Sequence, residues 1–111
     1  MPSRDPELLL EDILAAIRKV DRYTAGMDWE RFRQDEKTTD AVVRNLEVVG
    51  EAVRRLPEDF IARHPNVPWR QAAGLRNRIV HDYFGLDLEI IWEVIQHDLP
   101  RLRQQLENLG A

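Results

Sequence analysis

Apolar residues recur at intervals of three and four along most of this chain, and that spacing is the strongest constraint on its fold. A helix completes a turn every 3.6 residues, so such residues share one face. They are Leu10, Ile13, Leu14 and Ile17 in the first segment, Val42, Leu46, Val49, Val53 and Leu56 in the middle, and Ile91, Val94 and Ile95 later. No stretch alternates apolar and polar residues long enough to predict a strand. The pattern predicts an all-α fold, an up-and-down bundle of four to five helices.

Capping residues and prolines predict where the helices begin and end. Asp5 and Pro6 are typical of a helix start, and Ala25-Gly26 is typical of its end. A second long helix is predicted from Asp35 or Glu36 to Leu56, before Pro57. The other predicted elements are a short aromatic segment after Asp28 with Trp29 and Phe32, a helical turn from Glu58 to Arg63, a motif helix from Pro68 to Gly85, a helix from Leu88 to His97 capped by Asp87, and a last helix kinked or restarted at Pro100.

Composition limits the class of protein. With 111 residues we expect one domain, residues 1–111, which is short for an enzyme that encloses its substrate alone. There is no cysteine, so disulfides and thiol nucleophiles are excluded. Neither a signal-peptide pattern nor a membrane-length apolar run occurs, which predicts a soluble cytoplasmic protein without a membrane partner.

Charge bears on the possible partners of the chain. A net charge of −4 argues against broad coating of nucleic acid. A local basic site stays open, because several arginines surround one motif in the second half. They are Arg70, Arg76 and Arg78, with Arg101 and Arg103 further along.

That motif is the string R-N-R-I-V-H-D-Y, residues 76–83, which places polar residues where a helix should bury apolar ones. At about 100° per residue, Arg76 falls on the same side as Ala72 and Ile79, so the projection predicts an arginine on the buried side. An unpaired buried charge is costly. We therefore expect Arg76 to have a carboxylate or amide partner, to line a partly wet cleft, or to bind an anion.

The neighbours of Arg76 in the motif complete the predicted site. His81 follows Asn77 by four residues, so a helix would let Asn77 orient the imidazole. Gly85 is typical of the residue after a helix end, which predicts His81 and Tyr83 on the last turn, at the mouth of a cleft. Gly74 inside this helix costs about 1 kcal/mol relative to alanine, and it suggests a close approach of another helix.

Polar residues on the second long helix have two interpretations. Asn45 falls within the apolar face, and a buried amide needs a hydrogen-bond partner. It either supports Arg76 or His81 across a helix interface or is satisfied locally for structural reasons. Glu47 and Glu51 lie one turn apart among arginines, a pattern typical of a solvated face.

The residue types exclude most familiar chemistry. His64, His81 and His97 are widely separated and none belongs to a His-Glu-x-x-His pair, so we predict no metal site. Neither a phosphate-binding glycine loop nor a serine nucleophile elbow is present, and no cofactor is predicted.

Metal-free cleavage of RNA remains, because RNA supplies its own nucleophile in the 2′-hydroxyl. His81 could transfer the proton and Arg76 could stabilise the negative charge on phosphorus. One chain supplies one such pair, and two copies facing across a twofold axis would supply both a base and an acid. In the structural alternative, the two side chains only hold helices together.

The motif resembles the R-[polar]-x-x-x-x-H signature of the HEPN superfamily, in the R-N-x-x-x-H-x-Y form of the HepT-like toxins. The similarity continues upstream in R-N-L-E-V-x-G-E-A, residues 44–52, and downstream in W-E-x-x-x-x-D-L-P, residues 92–100. It covers roughly residues 5 to 109. The upstream and downstream segments make the resemblance far more specific than an arginine and a histidine at this spacing would be.

The resemblance implies a homodimeric helical bundle with a metal-independent endoribonuclease site in the cleft between subunits. It also implies an antitoxin partner of the minimal nucleotidyltransferase type. Arg76 and His81 match the catalytic pair, Asn77 the polar position after the arginine, and Tyr83 the motif tyrosine. In the family that tyrosine is nucleotidylated by the antitoxin, which would place a bulky, negatively charged group beside the site and exclude RNA.

Two other functions compete with this hypothesis. A noncatalytic helical module could use the motif to bind a nucleotide or the nucleotidyltransferase without cleaving RNA. A DNA-binding regulator has less support, since no helix-turn-helix with an exposed basic recognition helix is evident and no specific DNA binding is expected.

Overall fold

The computed structural model describes residues 5–80 and 85–109. Their helices are α1 (Pro6–Thr24), α2 (Trp29–Gln34), α3 (Glu36–Arg54), α4 (Glu58–Arg63), α5 (Trp69–Ala73), α6 (Leu75–Ile79), α7 (Leu88–Glu93), a π-helical turn (Val94–Asp98) and α8 (Leu99–Leu109). Across those two ranges, β pairing is limited to an isolated antiparallel bridge between Val80 and Leu86. The all-α prediction is confirmed.

The long helices α1 and α3 pack against each other and supply much of the core. The Asp5 carboxylate accepts a hydrogen bond from a backbone N–H in the first turn of α1, as the predicted cap. The Asp35 carboxylate does the same for α3, accepting from the backbone N–H of Thr38 at 3.0 Å. That hydrogen bond favours the ionised form and lowers the pKa of Asp35. Caps therefore fix where both helices begin.

Helix α3 also packs against α5 and α6. A Cβ added at Gly50 would lie 3.3 Å from the carbonyl oxygen of Ala73 and 3.4 Å from that of Ala72. Gly50 therefore allows the close approach of α3 to α5. The predicted close approach at Gly74 is wrong, because the described atoms within 4 Å of a Cβ placed there are the carbonyl oxygens of Arg70 and Gln71, on the preceding turn.

An aromatic cluster joins α2 to α7. Phe32 is completely buried, and its ring centroid lies 5.1 Å from that of Trp92. Trp29 lies 6.4 Å from Trp92 by the same measure. These separations fall in the range of favourable aromatic contacts. The short segment after Asp28 is thus a helix packed against α3 and α7, and Asp28 caps it.

The last helical segment runs from Leu88 to Leu109 and changes its winding before Pro100. The Asp87 carboxylate caps its start by accepting from the N–H of Ile90. Proline has no N–H, and its ring crowds the carbonyl four residues earlier. The wider π-helical turn, in which the N–H of Leu99 bonds to the carbonyl of Val94, precedes Pro100 and leads into α8. Restart of the helix near Pro100 is therefore observed.

The predicted apolar faces form the core. Ile13, Ile17 and every predicted member of the middle and later sets are buried. Leu10 and Leu14 are half-buried against the core, and Leu9 is buried beside them. None of the helices in residues 5–80 and 85–109 is both long and apolar enough to cross a membrane.

Candidate active site

The motif segment is two short helices rather than one. Helix α5 ends at Ala73, Gly74 has φ −92° and ψ 9°, and α6 begins at Leu75. Helix α6 ends at Ile79, because Val80 has extended backbone and pairs with Leu86. The predicted continuous helix to Gly85 is therefore wrong.

Gly85 has a structural role other than the predicted one. Its φ is +86°, in the region that glycine adopts without strain. It precedes the bridge residue Leu86, and the N–H of Asp87 then donates to the carbonyl of Ile79 at 2.8 Å. Gly85 therefore lies where the chain returns to pair with the end of α6. It is not the residue that follows the last turn of a helix.

The predictions for His81 and Tyr83 fall on residues outside the described ranges. The expected contact between Asn77 and His81 relied on a helix that continues past residue 80, and α6 stops at Ile79. Asn77 itself lies on α6 and is exposed. Val80 and Leu86, which flank the motif tetrapeptide 81–84, lie side by side at the end of α6.

Arg76 is exposed, so its predicted position on the buried side is wrong. The restart at Leu75 changes which residues of the motif face inward: Leu75 and Ile79, four apart, are buried. Arg76 follows Leu75 by about 100° and points away from the core, with 67% of its side chain exposed. The expected carboxylate partner is present, since Arg76 Nε lies 3.9 Å from Glu47 Oε1.

Arg76 lines an open cleft of about 380 Å³, and this too was expected. We call it the α3–α6 cleft, because α3 forms its floor and α6 contributes Arg76. Its lining residues are Leu9, Asp12, Arg44, Glu47, Val48, Gly50, Glu51, Ala52, Arg54, Arg55 and Arg76. Four of them are arginines and three are acidic, so the cleft carries both cationic and anionic groups.

A second group of ion pairs lies at the C-terminal end of α3. Glu51 is 3.6 Å from Arg54 and 3.5 Å from Arg55. Arg54 also donates from Nη2 to the carbonyl of Ala73 at 2.7 Å, which holds the end of α5 against α3. All three charged side chains are about half exposed or more, so each ion pair contributes little to stability. This agrees with the solvated face predicted for Glu47 and Glu51.

Comparison with known proteins identifies the family. The family model described as "Ribonuclease HepT-like" matches residues 13–109. A protein of Methanocaldococcus jannaschii, named as a candidate RNase, is 42% identical over 98% of this chain and 90% of its own. The chain belongs to the HepT-like ribonuclease family.

Another relative gives the same result. A protein of Thermococcus cleftensis named "Probable ribonuclease HepT" is 41% identical to this HepT-like chain, over 90% of it and 91% of its own length. No solved structure gives a significant match. The resemblance inferred from the motif is confirmed.

Other arginines of the predicted basic group have structural partners in this HepT-like protein. Arg78 on α6 forms a hydrogen-bonded ion pair with Asp98, which ties α6 to the π-helical turn. Arg103 on α8 donates to Glu107 and Asp21. The hydrogen bond to Glu107 is the largest cause of the raised pKa of Arg103. Arg76, by contrast, belongs to the cleft.

Asn45 fits the local interpretation of its burial. It is 7% exposed, and its Nδ2 donates to the carbonyl of Ala41 on the preceding turn of α3 at 2.9 Å. That bond satisfies a donor within the helix itself. Among residues 5–80 and 85–109, the polar contact of Arg76 is with Glu47 instead.

Sequence reasoning missed two residues of the site. Glu47 was assigned to a solvated face and not to Arg76, and Gly50 was not recognised as the contact between α3 and α5. The signal for Gly50 was present, since a glycine in the middle of a long helix costs about 1 kcal/mol and needs a packing reason. No local pattern pairs Glu47 with a residue 29 positions away in the sequence.

Proposed function

We propose that this HepT-like protein is a metal-independent endoribonuclease, the toxin of a type II HEPN/MNT toxin–antitoxin system, acting in the cytoplasm as a homodimer. Arg76 is the observation that carries the proposal. Its guanidinium is exposed at the wall of an open cleft, where a phosphate can reach it. Guanidinium has five N–H donors, so a weak contact of Nε with Glu47 leaves the terminal nitrogens available for two phosphoryl oxygens.

In the proposed reaction, the RNA 2′-oxygen attacks the adjacent phosphorus and the bond to the 5′-oxygen breaks. The His81 imidazole of one copy takes the 2′-hydroxyl proton, and that of the second copy returns a proton to the leaving 5′-oxygen. Arg76 stabilises the negative charge that develops on the pentacoordinate phosphorus. The products are a 2′,3′-cyclic phosphate and a 5′-hydroxyl, and Asn77 supports the site as a positioning residue.

The direct test is incubation of the purified chain with RNA in EDTA. We expect the wild type to release fragments that end in 2′,3′-cyclic phosphate. We expect His81→Ala and Arg76→Ala each to lose at least 100-fold in rate, as typical for removal of a proton-transfer or charge-stabilising group. Arg101→Ala, an exposed arginine on α8, is the control. Equal amounts of intact RNA with wild type and His81→Ala would refute the proposal.

Regulation is proposed to act through Tyr83 and the antitoxin. A minimal nucleotidyltransferase that nucleotidylates the phenol would add negative phosphate near the catalytic groups and exclude RNA. After reaction with the antitoxin and ATP, we expect the mass of the chain to rise in nucleotide-sized steps. Labelling that persists in Tyr83→Phe would contradict this assignment. A stable complex with the nucleotidyltransferase but no RNA turnover would favour the noncatalytic alternative.

A further inference from the structure

The α3–α6 cleft holds more positive charge than the catalytic proposal uses. Arg44, Arg54 and Arg55 line it together with Arg76, against three acidic residues, although the whole chain has a net charge of −4. The proposed reaction assigns a role to Arg76 alone.

The arginines of α3 are spaced to follow an extended ligand. Arg44, Val48, Glu51 and Arg55 lie at i, i+4, i+7 and i+11, so they form one stripe along the cleft floor. Eleven residues of helix separate Arg44 from Arg55, about 16 Å along the axis. This exceeds the distance between adjacent phosphates of a nucleic-acid strand. One strand along α3 could therefore contact both arginines through different phosphates.

The pairing of these arginines leaves donors for a ligand. Arg44 has no side-chain hydrogen bond or ion pair with any other part of the chain that the structure describes. Arg55 shares Glu51 with Arg54 through an exposed contact of 3.5 Å. Exposed ion pairs of this kind contribute only about 0–1 kcal/mol, so a phosphate can compete with the carboxylate. Guanidinium also binds phosphate with two parallel N–H donors.

We propose that the α3–α6 cleft binds the phosphate backbone of the RNA strand beside the cleaved bond, with Arg44 and Arg55 as phosphate ligands. The inference rests on the proposed function, because its ligand is the RNA that the enzyme would cleave. Contacts to phosphate carry no sequence information, so the cleft contributes affinity and register rather than base specificity.

The test measures RNA binding separately from cleavage. Binding of a fluorescent oligoribonucleotide is followed by anisotropy at several salt concentrations, with His81→Ala as the background to prevent turnover. We expect Arg44→Gln and Arg55→Gln each to weaken binding roughly 3- to 10-fold and to reduce the slope of log affinity against log salt by about 0.7, the value for one phosphate contact on a single strand. Arg18→Gln is the matched control, since Arg18 is exposed on α1 about 180° from the cleft residue Leu9.

The outcomes separate this inference from the nuclease proposal. Normal cleavage with an unchanged KM and salt slope in both arginine variants would overturn the cleft assignment and leave the nuclease intact. Binding that depends on Arg44 and Arg55, in a wild type that never cleaves RNA, would retain the cleft and refute the nuclease. Light scattering adds a further check, because a change of oligomeric state in Arg44→Gln would show that Arg44 lies in a subunit contact and would overturn the inference. Absence of RNA binding by the His81→Ala chain in the anisotropy measurement would also overturn it.

Discussion

The two ends of α3 are stabilised by different means. At its N-terminal end, Phe32 is completely buried against Trp92, and the Asp35 carboxylate caps the helix. At its C-terminal end, Gly50 admits α5 closely, and exposed charges line the α3–α6 cleft. Burial of aromatic surface contributes far more free energy than exposed ion pairs do. We therefore expect the first end to determine stability, and the second to be available for binding.

The largest expected effect is at the aromatic end. Phe32→Ala removes a fully buried ring and leaves a cavity among packed aromatic neighbours. We expect the free energy of unfolding to fall by about 3–5 kcal/mol, measured by urea denaturation.

Phe60→Ala is the control for the aromatic prediction. Phe60 is only half-buried, and its ring packs 4.7 Å from that of His64 at the edge of the bundle. Its removal should cost clearly less than removal of Phe32. Equal losses of unfolding free energy in the two variants would show that the aromatic cluster between α2 and α7 contributes no more to stability than the half-buried ring of Phe60.

An intermediate effect is expected where α3 meets α5. Gly50→Val would place Cβ 3.3 Å from the carbonyl oxygen of Ala73 and add two methyl groups beyond it. Overpacking against backbone should lower the free energy of unfolding by about 1–3 kcal/mol. Displacement of α5 and α6 should also move Arg76 and reduce RNA cleavage in the protein that remains folded.

Ala15→Val measures the effect of valine at an exposed helix position. Ala15 is exposed on α1, so this variant loses only helix propensity, about 0.5 kcal/mol. Valine is a better helix former than glycine, so Gly50→Val without overpacking should not be destabilising at all. A Gly50→Val variant as stable as the wild type would show that the close approach does not restrict the packing of α5.

The smallest expected effect is a pH dependence at the start of α3. The N–H of Thr38 lowers the pKa of Asp35 in the folded chain below its unfolded value of 3.8. The stabilisation is therefore present above the unfolded pKa and is lost as the pH falls through the folded one. Asp35→Asn should keep a neutral cap and lose less stability as the pH falls below about 4.

Urea unfolding midpoints, measured at each pH for the wild type and Asp35→Asn, test the contribution of the Asp35 carboxylate at the N-terminal end of α3. Asp40→Asn, at an exposed position within the same helix, serves as the charge-matched control. Acid profiles that coincide for wild type and Asp35→Asn would contradict a role of the Asp35 carboxylate in stability at low pH.

Much of the fold was predictable because its signals are local. Asp5 and Asp87 cap helices as predicted, and Asp28 and Asp35 cap α2 and α3 at the positions where those segments were predicted to begin. The apolar spacing identified the buried faces of α1 and α3, since both helices are long and regular. The same use of apolar spacing gave the wrong orientation for the motif. Gly74 separates two helices of five residues each, so one helical projection cannot describe both.

The candidate site was predictable in part. Arg76 has the expected carboxylate partner and lines the expected cleft. Both were predicted on the assumption that Arg76 is buried, and it is exposed. The sequence did not indicate which carboxylate would be the partner of Arg76. Glu47 and Arg76 meet only because α6 packs on α3, and that contact depends on the way α5 turns at Gly74 beside Gly50.

By itself, the sequence determined the helical class, the caps and the family, because periodicity, capping residues and a motif are properties of short segments. Only the tertiary structure decided that Arg76 faces solvent, that Glu47 lies beside it and that the arginines of α3 line the same cleft. The physical reason is that the orientation of a five-residue helix is set by what it packs against, and its own sequence is too short to impose one.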